Sequence, residues 1–229
     1  VNAFFYLSTA SSIVQNTQWE FYCNLKLATS GVRYVDIFLV SDSSNLKGNN
    51  SGYFVRIGNT ADEVSLYRKD IGSSIIIIDG TDVTINSTSD NPLKVKVTRD
   101  SLGSWKLEID LDTTGIYSVE GTVFDTTYKT SNFFGILARQ STSSSFYKYY
   151  FDDFNVGPIP PDTIPPTISS LIVLSDTTLD ILFSEFVEKT TAETDTNYSV
   201  NNGIGNPISA LRDSTDSTIV HLTFDTTFG

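Results

Sequence analysis

The stretch LKVKVTRDSLGSWKLEIDLD (residues 93–112) decides the fold, because apolar and polar residues alternate along it on both sides of a short polar turn. Successive side chains of a β-strand point to opposite faces, so each half of the stretch has one apolar and one polar face. The segment therefore predicts two antiparallel strands that each cover a core with one face. The predicted core face of the second strand consists of Trp105, Leu107, Ile109 and Leu111.

The same alternation recurs through the first 157 residues, whereas no helical pattern of useful length does. Nine or ten short strands separated by hairpin-sized gaps predict an all-β fold, an antiparallel jelly-roll sandwich. The other strand segments are TQWEFYCNLKL (17–27), YVDIFLVS (34–41), GYFVRIG (52–58), DEVSLYRKD (62–70), SIIIIDG (74–80), SNFFGILARQ (131–140) and FYKYYFDDFNV (146–156).

A proline-rich segment, GPIPPDTIPPT (157–167), interrupts the pattern. Proline removes a backbone donor and fixes φ, so this segment predicts a semi-rigid spacer rather than a central strand. We therefore expect a first domain over 1–157, a linker over 158–166 and a second domain over 167–229. The short strands of the second domain are typical of an Ig-like β-sandwich, but its length is below the roughly 100 residues of such a sandwich, so we expect it to be incomplete. Its only helical candidate is KTTAETD (189–195), one turn at most.

The formal net charge of −12 limits the possible partners. Because like charges repel, an acidic surface argues against binding to nucleic acid or to anionic membranes. No apolar run reaches the roughly 18 residues that a membrane-spanning helix requires, so no membrane span is expected in this segment.

The chain has one cysteine, Cys23, and one histidine, His221. A single thiol forms no intramolecular disulfide and rules out a multi-cysteine metal site. Because the histidine lies in the second domain, Ser–His–Asp and Cys–His catalysis are not expected within residues 1–157.

Three segments of the first domain carry a resemblance to a known family: STASSIVQNTQWEFYCNLKL (8–27), GYFVRIGNTADEVSLYRKD (52–70) and YYFDDFNVG (149–157). They resemble concanavalin A-like, laminin-G-type jelly-roll modules of secreted bacterial surface proteins. The segment DTIPPTISSLIVLSDTTLDILFSEFVE (162–188) is similar to bacterial Ig-like repeats of the surface-layer type.

This resemblance implies a secreted or cell-surface location and further domains in the same parent chain. The family module opens with one or two more strands than this chain has, and the Ig-like repeat continues for a few more. We therefore expect a fragment shortened at both ends, with exposed sheet edges.

One candidate for catalysis is the segment WKLEIDLD, which resembles the Glu-x-Asp-x-Glu strand of laminarinase-type glycoside hydrolases. The resemblance implies Glu108 and Asp112 as the two acids, with Asp110 between them on the same face. Asp112 stands where the family has a glutamate, which is one methylene longer. The same alternation also predicts that Lys106 through Asp112 form an ordinary solvated face.

Asp152 is the candidate metal ligand. Carbohydrate-binding jelly rolls often end in an aromatic–Asp–Asp strand, and this resemblance implies that Asp152 helps to hold a structural Ca²⁺. Asp152 has the same parity as Phe154 and Val156, the predicted inward face, where a carboxylate needs a metal or backbone donors. The alternative is a carboxylate that caps a loop at the sheet rim.

A sugar-binding surface is predicted from Tyr53, Arg56, Tyr67 and Arg68, which lie on neighbouring strands. Tyrosine rings and guanidinium donors suit glycans, although tyrosines also pack at sheet rims. The sequence thus predicts a non-catalytic module that binds an extracellular glycan, polysaccharide or other polymer, as in adhesion. A purely structural spacer and a glycoside hydrolase remain the alternatives.

Overall fold

The computed structural model describes residues 3–141 and 143–228. The chain divides into two compact units, Val1–Pro160 and Pro161–Gly229. Each unit has its own hydrophobic core.

The first unit is a sandwich of two antiparallel sheets, and the all-β fold predicted from the alternation is confirmed. A six-stranded sheet has the order β1-β10-β3-β4-β5-β6, and a five-stranded sheet has the order β11-β2-β7-β8-β9. The strands are β1 (Ala3–Ala10), β2 (Thr17–Leu25), β3 (Tyr34–Ser41), β4 (Gly52–Gly58), β5 (Glu63–Asp70), β6 (Ser73–Ile78), β7 (Pro92–Arg99), β8 (Ser104–Leu111), β9 (Ser118–Phe124), β10 (Phe133–Gln140) and β11 (Tyr149–Pro158).

The core lies between the two sheets and contains the apolar face of every alternating strand. In the β7–β8 hairpin, Val95 lies opposite Ile109 and Val97 opposite Leu107. Trp105 stacks on Trp19 within its own sheet and meets Tyr53 of the other sheet at a ring-centroid distance of 4.5 Å. Since these side chains are fully buried, removing them from water is the main force that holds the sheets together.

Two expectations about β8 need correction. Leu111, which the sequence assigned to the core, is 41% exposed at the end of the strand. Glu108 and Asp110, which the sequence assigned to a solvated face, are buried, because charged and backbone partners cover them.

The second unit contains one four-stranded antiparallel sheet in the order β12-β13-β15-β14, one short α-helix and one 3₁₀ turn at Asp195–Asn197. These elements are β12 (Ile168–Ser175), β13 (Thr178–Phe183), α1 (Lys189–Ala192), β14 (Ser209–Arg212) and β15 (Ile219–Thr223). The turn α1 falls within the segment that the sequence marked as helical, and the Glu188 carboxylate caps it by accepting hydrogen bonds from the Thr190 and Thr191 backbone N–H groups.

Candidate functional site

The candidate site lies on the outer face of the six-stranded sheet. Along β3, β4 and β5 the core face contains residues such as Ile37, Tyr53 and Leu66, so the intervening residues point away from the core. Strand register places Asp36 opposite Arg56 and Phe54 opposite Tyr67. An acid, a base and two aromatic rings therefore meet on one surface.

Arg56 and Asp36 form a two-pronged ion pair at the centre of this surface. Arg56 Nε donates to Asp36 Oδ1 at 2.7 Å and Arg56 Nη2 donates to Asp36 Oδ2 at 2.8 Å. Burial raises the pKa of Asp36, and the hydrogen bonds and charge of Arg56 oppose that rise. The guanidinium also lies over the Tyr34 ring, 4.0 Å from its centroid, so the plane of Arg56 is held by an aromatic face and a carboxylate together.

Three aromatic rings form a row beside the ion pair. Phe54 stacks between Phe38 and Tyr67, with centroid distances of 5.1 and 5.0 Å. Leu46, from the loop that joins β3 to β4, is fully buried against this row. The rings consequently form a covered wall of the site rather than an open stacking platform.

Beside this wall lies a cavity of about 240 Å³, which we call the sheet groove. Aromatic, acidic and basic side chains line it together. The sheet groove is lined by Phe4, Tyr34, Asp36, Phe38, Leu46, Lys47, Phe54, Arg56, Lys69, Ser74 and Leu137.

The structure separates the four residues predicted to bind sugar into two pairs. Arg56 and Tyr67 lie on the outer face, with the guanidinium carbon 5.1 Å from the Tyr67 centroid. Tyr53 points into the core and is 0% exposed, and Arg68 lies opposite it in the sheet register. Because residues at odd and even positions of one strand face opposite sides, Tyr53 cannot share a surface with Arg56.

Tyr53 and Arg68 instead hold Asp125. The Tyr53 hydroxyl donates to Asp125 Oδ1 at 2.6 Å, and Arg68 Nη1 donates to Asp125 Oδ2 at 2.7 Å. Burial works against ionisation, but the hydrogen bonds from Tyr53, Thr127 and Arg68 lower the pKa of Asp125 to about 2. This network supports the fold and does not line the sheet groove.

Asp36, Tyr34 and the two lysines of the sheet groove were not among the residues predicted to form a site. A signal for the ion pair was present: Asp36 is the only charged residue of YVDIFLVS, and Arg56 is the only charged residue of GYFVRIG. A charge in a strand that is otherwise buried needs a partner of opposite sign, and neighbouring strands can supply it.

The residues proposed for glycoside hydrolysis do not form a free pair of acids. The Glu108 carboxylate is held by Lys106 at 2.9 Å and Lys96 at 3.4 Å. Asp112 lies beyond the end of β8 with a φ of 57°, so it no longer follows the alternation of the strand. Asp110 accepts hydrogen bonds from the Thr114 and Gly115 backbone N–H groups and closes the turn after β8.

The surroundings of Asp152 do not fit a calcium site. A bulge between Asp152 and Asn155 adds one residue to β11 and so reverses the alternation of its side chains. Asp152 consequently lies opposite Tyr22 and is exposed, whereas Phe154 packs against Phe21 of the core. Its carboxylate accepts a hydrogen bond from the Asp153 backbone N–H. Within residues 3–141 and 143–228, no group of three or more His, Cys, Asp or Glu side chains could hold a metal ion.

No model of a protein family matches the chain, and no curated protein matches it either. Solved structures with a similar chain path include the carbohydrate-binding module CBM66 from Bacillus subtilis, with 13% identity, a TM-score of 0.45, and coverage of 68% of this chain and 83% of that chain. The exoplasmic/lumenal domain of VIP36 in its Ca²⁺/Man-bound form has 12% identity, a TM-score of 0.47, and coverage of 69% and 85%. A toad ovary galectin in complex with thio-digalactose has 8% identity, a TM-score of 0.39, and coverage of 66% and 98%. Similarity at this level does not assign the chain to a family.

Among the described residues, no helix has the length and apolar character needed to cross a membrane.

Proposed function

We propose that the first unit is a non-catalytic carbohydrate-binding module and that the sheet groove is its binding site. The observation that carries the proposal is the Arg56–Asp36 pair, held rigid against Tyr34 in the floor of a cavity of about 240 Å³. That volume is slightly below the roughly 300–1,000 Å³ of sites for drug-sized ligands, so it suits one or two sugar rings of a longer chain.

The chemistry of the sheet groove matches that of a sugar. A sugar ring presents hydroxyl groups, which both donate and accept hydrogen bonds, and it also has apolar C–H faces. Arg56 has five N–H donors, of which Nε and one Nη2 hydrogen serve Asp36, and the Asp36 oxygens keep further acceptor capacity. Because the pair is already oriented by its mutual bonds, it loses little conformational entropy when a ligand binds.

The proposal extends to the parent protein. The resemblance of the segments 8–27 and 149–157 to secreted surface modules supports an exported bacterial protein in which this unit attaches the parent chain to an extracellular glycan or polymer. The second unit, proposed as an Ig-like module after the linker 158–166, then acts as a spacer. Calcium is a variable of the test and not a part of the proposed site, because the residues around Asp152 do not form a cage for it.

The test is a glycan array probed with the full chain, in calcium and in chelator, followed by titration of the strongest ligand. Arg56→Lys keeps the charge but loses the two-pronged geometry, so we expect binding at least about tenfold weaker. Lys94→Gln is the control, since Lys94 lies on the other sheet, where its Nζ is 3.4 Å from Asp153.

Three results would overturn the proposal. A folded protein that binds no glycan on the array would favour the structural spacer. Release of reducing sugar from a bound polysaccharide would favour the hydrolase. Equal loss of binding in Arg56→Lys and Lys94→Gln would place the site elsewhere.

A further inference from the structure

Two lysines of the sheet groove, Lys47 and Lys69, lack an acidic partner among the described residues. Neither Lys47 nor Lys69 forms a salt bridge with any residue in the part of the chain that the structure describes. On the outer face of the five-stranded sheet, by contrast, Lys94, Lys96 and Lys106 each pair with a carboxylate. The two groove lysines are therefore cations without an acid partner in a protein whose net charge is −12.

Lys69 is partly buried as well as unpaired. Its ammonium lies 5.5 Å from the Phe38 centroid, and its one hydrogen bond reaches the Leu46 carbonyl oxygen at 3.5 Å. Burial lowers the pKa of Lys69, and the positive charge of Arg56 lowers it further. The negative charges of Asp36 and Asp42 act in the opposite direction. Asp36 forms no salt bridge with Lys69, because both of its oxygens accept hydrogen bonds from Arg56.

A second cavity of about 280 Å³ continues from the sheet groove and shares Lys47, Lys69 and Ser74 with it. It lies between the β3–β4 loop, which supplies Gly48 and Asn49, and the β5–β6 hairpin, which supplies Gly72 and Ser73. No heavy atom lies within 4 Å of the position that a Cβ would take on Gly72, so this side is open. A polymer that occupies the sheet groove can thus extend past both ammonium groups.

We propose that the sheet groove and this second cavity bind an acidic polysaccharide, one whose sugar residues carry carboxylate or sulfate groups, and that Lys47 and Lys69 select it. The inference rests on the proposed carbohydrate-binding function and names its ligand class. An anionic group between the two ammonium groups supplies the partner that both lack, and the acidic remainder of the surface repels the same polymer. We attribute the selectivity to these two residues because they are the lysines that line both cavities.

The experiment measures binding of the full chain to immobilised dextran, polygalacturonate and dextran sulfate, together with the strongest neutral ligand from the glycan array. The two acidic polymers separate carboxylate from sulfate as the recognised group. The variants are Lys47→Gln with Lys69→Gln in one chain, and Lys94→Gln with Lys106→Gln in another, which carries the same change in net charge on the other sheet. Lys47→Gln alone is a milder variant, because Lys47 is exposed and we expect the fold to tolerate its replacement.

We expect one acidic polymer to bind at least about tenfold more tightly than dextran, and the groove double variant to lose that preference while the control keeps it. Lys47→Gln alone should lose part of the preference for the acidic polymer. Raising the salt concentration should weaken binding to the acidic polymer more than binding to a neutral ligand. Neutral ligands that bind as well as both acidic polymers would overturn this inference and leave the proposed function standing. Binding to none of the ligands would overturn both. Equal loss in the two double variants would show that overall charge, and not the groove, recognises the polymer.

Discussion

Asp125 is the residue at which the two sheets are connected by charge. It lies in the loop after β9 of one sheet and accepts hydrogen bonds from Tyr53 and Arg68 of the other. Its backbone carbonyl also accepts hydrogen bonds from Trp105 and from the fully buried Arg99. None of the hydrogen bonds that Arg99 donates reaches a carboxylate, and the negative charges of Asp125 and Asp100 act on its positive charge without direct contact.

Replacing Asp125 by asparagine keeps the shape of the side chain but removes one of the two carboxylates that pair with Arg68, so that only Asp70 remains, and it removes a nearby negative charge from the buried Arg99. We expect the free energy of unfolding of Asp125→Asn to fall by about 2–4 kcal/mol at pH 7 in chemical denaturation. Asp152→Asn, an exposed carboxylate on the same unit, is the control and should stay within about 0.5 kcal/mol of the wild type.

The pH dependence gives this prediction a second readout. The pKa of Asp125 falls from its ordinary value to about 2 on folding, so its contribution is present above pH 4 and is lost as the pH falls toward 2. The stability difference between wild type and Asp125→Asn should therefore narrow over that range. A difference that stays constant would show that the charge of Asp125 is not what stabilises the fold.

His221 provides a pH-dependent contact in the second unit. Its ring nitrogens face two carboxylates, with Nδ1 2.6 Å from Asp180 and Nε2 3.1 Å from Asp213. These hydrogen bonds raise the pKa of His221 above its ordinary value. A raised pKa in the folded state means that the stabilisation is complete below about pH 6.5 and is lost as the pH rises through the folded-state pKa.

We therefore expect His221→Gln to lower the melting temperature of the second unit more at pH 6 than at pH 8.5. Thermal unfolding of both proteins across this range measures the difference. Asp180→Asn should reduce the same pH dependence, since it removes the nearer carboxylate and leaves Asp213. An equal loss at both pH values would mean that the protonated ring contributes nothing.

At the scale of elements, the strands with strict alternation were predictable and the irregular ones were not. The β7–β8 hairpin follows from its pattern because each apolar residue has a buried position to fill. Strand β9 was not predicted, since its exposed residues leave no regular apolar face and Gly121 interrupts it. The bulge in β11 was not predictable either, because one extra residue shifts the inward and outward alternation of the strand without leaving a recognisable residue pattern. The four residues predicted to bind sugar do not share one surface for a related reason: Tyr53 and Arg56 have opposite parity on one strand.

Gly121 is required where β9 approaches the other sheet. A Cβ on this residue would lie 2.7 Å from Cγ2 of Ile78, a buried residue of β6. Gly121→Ala should therefore reduce the free energy of unfolding by about 1–3 kcal/mol, because the buried Ile78 side chain must shift to admit the methyl group. In Gly157→Ala the added Cβ meets no atom within 4 Å, so this variant is the control for the loss of glycine itself. Equal stability of the two variants would contradict the close approach.

At the scale of the whole molecule, the two units have separate cores, and the proline-rich segment predicts that they unfold separately. Calorimetry of the full chain should then show two transitions. Asp125→Asn should lower only one of them, whereas Leu222→Ala, in the core of the second unit, should lower only the other. A single transition that both variants lower would contradict independent units.

The central claim, that the sheet groove binds carbohydrate, is tested most directly by hydrogen–deuterium exchange of the full chain with and without the strongest ligand of the glycan array. The account predicts slower exchange in β3, β4 and the β5–β6 hairpin, which supply Asp36, Arg56 and Lys69. It predicts unchanged exchange in β7 and β8 of the other sheet. Slower exchange confined to β7 and β8, or no change in any strand at saturating ligand, would contradict it.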